Sequence, residues 1–187
     1  MAVLRHITTV FVVILIFAIA VPCAVNAANP GTGRSRETVQ PTNSELTGGW
    51  RYVRTRNPHG GADAISIMHT ADTSRSDLDL AGLMIRCSES GAEVVIVLIR
   101  AFPLRARPHV VLGKPGSETQ LEATVGAPGT AVLLPADATT ALVTGSWQTL
   151  SELTIRIDDG QTTIRGVVVL AGLQAAFNHL VASCRMQ

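Results

Sequence analysis

The side chains best suited to chemistry crowd into one stretch, HTADTSRSDLD, which holds His69, Asp72, Asp77 and Asp79. An imidazole beside carboxylates two positions apart can run general acid–base catalysis or hold a hard divalent cation. It does so only if the groups converge in one pocket. One reading of the chain is therefore a small hydrolase or metal-dependent enzyme built on His69, Asp72, Asp77 and Asp79. The competing reading makes the stretch a solvated loop whose Asp and Ser side chains bond the backbone of their own turns. The histidines at 59, 109 and 179 are scattered and match no paired-ligand spacing.

Other chemistry is weaker still. No Gly-x-Ser-x-Gly elbow accompanies the serines of ESGAE or TGSWQ. GTGRSRE is glycine-rich, but it lacks the Lys-Ser/Thr pair of a phosphate loop and no strand precedes it. These motifs call for no cofactor, no metal and no catalytic set outside the His/Asp cluster. NPHGGADA offers His59, Gly60 and Gly61 as a recognition loop at one end of a β-fold, or else a plain surface turn. Trp147, just before an alternating strand, reads as core.

The ends of the chain bear on compartment. Arg5 and His6 precede an uncharged apolar run at 7–20, and small residues Val25 and Ala27 stand before Ala28. This is the pattern of a secretory signal peptide over 1–27, shorter than the roughly 20 apolar residues of a spanning helix. An uncleaved anchor and a lipidated Cys23 are the alternatives; Pro22 before Cys23 does not fit the second. Cleavage after Ala27 removes Cys23 and leaves Cys87 and Cys184 in a chain bound for an oxidising compartment, the periplasm or the exterior. An even pair there is most simply a disulfide, with two separate buried thiols as the other reading. Without Arg5 the basic and acidic side chains balance, and no basic block is present. That argues against nucleic acid or an anionic membrane surface as partner, and no stable membrane insertion is expected once the signal is gone.

Residues 28–49 are rich in Gly, Pro, Ser, Thr and Asn and read as a flexible polar leader, with one β-rich domain over 50–187. Strand candidates follow one another closely: DAISIMHT, DLAGLMIRC, the continuous run EVVIVLIR, RPHVVLG, TQLEATVG, GTAVLLP, SELTIRID and TTIRGVVVL. Short strands punctuated by Gly and Pro predict a mainly β fold, an antiparallel β-sandwich or a barrel-like domain. ADATTALVTGS reads as one or two helical turns. Leu170, Leu173, Phe177, Leu180, Val181 and Cys184 make one stripe of a C-terminal amphipathic helix. A bridge from Cys184 to Cys87 would clamp the end of that helix to a core strand.

LMIRC with a hydrophobic strand after it, GTAVLLP, and VVLAGLQAAFNHLVASC at the close resemble the VasI family. These are small exported proteins associated with type VI secretion in Gram-negative bacteria. The resemblance runs from about Trp50 to Cys184 and rests on Trp50, Arg86, Cys87, Leu134, Pro135 and the stretch from Ala171, Gly172 and Leu173 to Cys184. It implies a periplasmic accessory protein and brings no catalytic residues with it. The sequence thus favours an exported, non-catalytic protein-binding module with a partner in the cell envelope. The His69/Asp cluster enzyme is the alternative, and a small-ligand binder in a barrel mouth is a third reading.

Overall fold

The computed structural model describes residues 42–184. The expected signal segment at 1–27 and the first part of the expected polar leader lie outside the described residues.

Among the described residues, eleven strands and two α-helices follow in the order β1 (Thr42–Glu45), β2 (Arg51–Thr55), β3 (Ala64–Thr70), β4 (Leu80–Ser88), β5 (Gly91–Leu98), β6 (His109–Lys114), β7 (Ser117–Glu122), β8 (Thr124–Gly126), β9 (Ala131–Leu133), α1 (Ala136–Val143), β10 (Glu152–Asp158), β11 (Thr163–Val169) and α2 (Leu173–Cys184). A short 3-10 turn, Thr47–Gly49, separates β1 from β2. The strands form a seven-stranded sheet, β1-β2-β3-β4-β5-β9-β8, and a four-stranded sheet, β11-β10-β6-β7. Every pairing is antiparallel.

Alternation decides which side chains go inside. Ile65 and Ile67 of β3, Leu83 and Ile85 of β4, and Val94 and Ile96 of β5 are buried on one face of the large sheet. Leu153, Ile155 and Ile157 of β10, with Ile164 and Val168 of β11, are buried on one face of the small sheet. Side chains from both sheets and both helices join one hydrophobic cluster, so the fold is a β-sandwich and no closed barrel forms. Leu80 sits three positions from Leu83 and would point outward in an unbroken strand. The register shift between Leu80 and Gly82 inserts one residue and turns Leu80 back into the core.

Two elements depart from the sequence reading. Within the expected leader, Thr42–Glu45 pairs as β1 against β2, and Leu46 packs against the core. All four β1 side chains stay exposed, so only backbone bonds hold the strand and no apolar pattern marks it. TQLEATVG is two strands and not one. β7 belongs to the small sheet and β8 to the large one, and buried Ala123 lies where the chain changes layers.

The C-terminal helix docks through its apolar side, but the buried line is turned from the predicted stripe: Leu173, Ala176, Leu180 and Ser183 are buried, while Phe177 and Cys184 are half-buried against the cluster. Its entry needs glycine. A Cβ on Gly172 would meet the Thr47 carbonyl and one on Gly48 the Ala171 carbonyl, with φ values of 79° and 74°. This close approach lets the buried Trp50 donate its Nε1–H to the Ala171 oxygen at 3.1 Å. At the far end of α2, Cys184 is disulfide-bonded to Cys87 of β4, with the Cα atoms 5.9 Å apart.

Candidate functional site

The HTADTSRSDLD stretch leaves β3 at His69 and Thr70 and re-enters the large sheet at Leu80. Its four candidate groups do not converge. His69 turns toward the 3-10 turn: Nε2 lies 3.0 Å from the Gly48 oxygen and Nδ1 2.8 Å from the Thr70 oxygen. Its ring meets Trp50 edge-on at 5.3 Å between centroids. Asp72 folds onto its own loop, where its carboxylate accepts from Ser74 N–H at 3.0 Å, Ser74 Oγ at 2.6 Å and Arg75 Nε at 2.7 Å. These bonds, that of the Ser74 hydroxyl foremost, hold its pKa down to about 2 from the ordinary 3.8.

Asp77 and Asp79 are committed elsewhere. Asp77 Oδ2 accepts the Arg165 N–H of β11 at 2.7 Å. Asp79 pairs with Arg100 at 3.1 Å. Among the described residues, no group of three or more His, Cys, Asp or Glu side chains is arranged to hold a metal ion. What the loop does instead is cap a sheet edge. Asp72 and Asp77 donate their N–H groups to the Val167 and Arg165 carbonyls at 2.8 Å each, and Ser76 Oγ accepts the Val167 N–H at 3.0 Å. The loop approaches so closely that a Cβ on Gly166 would run into Ser76 and Leu80.

The NPHGGADA segment joins β2 to β3 beside the Ser88–Gly91 hairpin, since Thr55 pairs with Ala64. His59, Gly60 and Gly61 are exposed there. The loop is braced from within: Asn57 Oδ1 accepts the His59 N–H at 3.0 Å, and Arg54 Nε bonds Asp63 at 2.7 Å. That bond with Arg54, the largest cause, lowers the Asp63 pKa below its ordinary value. His109 is exposed on β6, and His179 packs edge-on against Tyr52 at 4.8 Å between centroids. Trp147 is buried, as core.

The opposite end of the sandwich carries a feature the candidate groups do not. Leu78, Ile99 and Leu104 are 87%, 66% and 58% exposed, the large hydrophobic side chains most open to solvent among the described residues. Leu80 pairs with Leu98, and the Ile99 N–H donates to the Asp79 carbonyl at 2.8 Å, so the segments carrying Leu78 and Ile99 emerge together. Leu104 belongs to the next loop, whose neighbouring residues line a hollow of about 390 Å³ against the β10–β11 turn. Arg100, Arg105 and Arg107 surround these apolar side chains along the chain.

Sequence reasoning passes over all three. Ile99 looks like the end of the run EVVIVLIR, yet β5 stops at Leu98 and the next side chain turns out. The available signal was local: Leu78 between two aspartates and Leu104 between Pro103 and Arg105 are apolar residues set in polar loops. Comparison with protein-family models, with curated proteins and with solved structures finds no match for this chain.

Proposed function

We propose that the chain is an exported, non-catalytic module that binds another protein in the cell envelope. The carrying observation is the loop end with Leu78, Ile99 and Leu104 open to solvent. Isolated exposed leucines are ordinary, but large apolar side chains on neighbouring loops among arginines make the composition of a protein interface. Loops at one end of a rigid sandwich are also where such folds carry recognition. The export pattern at 1–27 and the Cys87–Cys184 bridge support an oxidising compartment. The likeness of Trp50, Arg86, Cys87, Leu134, Pro135 and the 171–184 stretch to VasI proteins supports the secretion-associated form of this reading.

The alternative, an enzyme using His69, Asp72, Asp77 and Asp79, gains nothing from the separate partners those groups keep. The test is photo-crosslinking in cells, with a benzoylphenylalanine at position 99 and a control at Lys114, on the hairpin at the other end. One dominant adduct from position 99, identified by mass spectrometry and lost in an L78D/L104D background, is the expected result. Equal adducts from position 114, or none from 99, would remove the proposal.

A further inference from the structure

The outward face of the four-stranded sheet carries a second feature, separate from the apolar loop end. Arg156 of β10 and Arg165 of β11 are direct cross-strand partners, and both are exposed. Two like charges in that position repel and destabilise the pair. The ion pairs of the described residues leave both guanidiniums out. Arg75, at the same groove, is already neutralised by Asp72 at 2.7 Å and Glu152 at 2.8 Å. Asp158, the next outward residue of β10, spends its carboxylate on Gly160 N–H at 2.8 Å and Thr163 Oγ1 at 3.3 Å. The arginine pair thus borders an open groove of about 410 Å³, with Val111 and Val167 as apolar walls.

We infer that this groove is a binding site for an acidic peptide segment of a partner protein, with a Glu or Asp carboxylate seated between Arg156 and Arg165. A carboxylate there relieves the mutual repulsion and offers planar acceptors to two guanidinium forks. The rest of the face selects against densely anionic partners. Glu118 lines the groove, and Glu122 and Asp158 stand on the same sheet, so a nucleic acid or an anionic bilayer would meet carboxylates as well as arginines. The valine walls suit the aliphatic stems and backbone of an extended segment.

The full chain, labelled with ¹⁵N, is titrated at low salt with a capped peptide that carries one glutamate among alanine and valine residues. Saturable amide shifts confined to Thr154, Arg156, Arg165 and Val167 and their neighbours are expected. Binding should weaken ~tenfold or more in R156Q/R165Q, in line with losing charge-assisted bonds. Inorganic phosphate and phosphatidylglycerol vesicles serve as parallel probes. The inference is overturned if the single-glutamate peptide gives no saturable shift there, if R156Q/R165Q binds it as tightly, or if phosphate or vesicles occupy the groove more tightly than the peptide. R165E adds an independent reading: it converts the repulsive pair into a cross-strand ion pair, so Tm should rise while peptide binding is lost. A fall in Tm would show that the pair is not repulsive and remove the premise. None of these outcomes depends on the loop end at Leu78, Ile99 and Leu104.

Discussion

Asp72 illustrates how one residue type can serve two very different ends. A carboxylate near a histidine and two further aspartates is the raw material of an active site. Here three donors of its own loop consume it: Ser74 N–H, Ser74 Oγ and Arg75 Nε. Because its folded-state pKa, about 2, lies below the ordinary 3.8, Asp72 stabilises the fold fully above that ordinary value. The contribution fades as pH falls through the interval between them and is gone below about 2. Asp63, lowered in the same direction by Arg54, adds to the same acid limb. D72N should therefore flatten the decline of Tm between pH 4 and pH 2 and leave neutral pH less stable than wild type. Thermal melts across that range decide it; an unchanged acid limb would mean that the Asp72 bonds contribute nothing. The same residue shows what the sequence could not convey. Residue types and spacing named the cluster, but whether carboxylates face one another or their own backbone depends on the loop path, which hydropathy does not encode.

Elements whose side chains alternate or repeat were legible; elements held by backbone bonds alone were not. β3, β10 and β11 alternate buried and more open side chains, β4 does so beyond its bulge, and α2 turns one apolar side to the core, its line shifted onto Ala176 and Ser183. β1 buries none of its side chains, and nothing in TNSE distinguishes it from the polar residues before it. The layer change at Ala123 was equally silent, since a strand that crosses between sheets keeps its alternation. The Cys87–Cys184 bridge was readable from the two cysteines that lie beyond the apolar N-terminal run, and its consequence belongs to α2. It closes a loop of 97 positions, for which the chain-entropy model gives a ceiling of about 4.7 kcal/mol. C87S/C184S should lose roughly 2–4 kcal/mol in urea melts, the usual measured range. Amide exchange should accelerate first at the C-terminal turns of α2, while its start, packed by Gly172 against Thr47, holds longer. Uniform acceleration along the whole helix would mean that the bridge stabilises the domain globally and does not pin one end.

At the scale of the whole molecule, a sandwich of two open sheets has four edges, and each presents backbone groups that another strand could take. β7, at one edge of the small sheet, is almost fully exposed and carries Glu118 and Glu122 among its side chains, a charged guard against strand addition. β11, at the other edge, is closed by the 72–77 loop. The accounting there is complete for two residues: the carbonyls of Arg165 and Val167 accept from Asp77 and Asp72, and their N–H groups are taken by Asp77 Oδ2 and Ser76 Oγ. The stretch that most resembles an active site therefore finishes a sheet, and its Ser and Asp side chains act as a strand would. S76A/D77A removes both side-chain acceptors and spares the two carbonyl bonds. Each unmade bond at this partly exposed edge costs about 1 kcal/mol, so the double variant should lose about 2 kcal/mol. Exchange of the Arg165 and Val167 amides should quicken by a larger factor than that of Ile164 and Val168, whose N–H groups face β10. An uncapped edge also invites pairing between copies, so the variant's apparent mass in light scattering should rise with concentration while the wild type's does not. If the two amides exchange at wild-type rates and the mass stays constant, water replaces the cap without penalty, and Asp77 and Ser76 are free for another role.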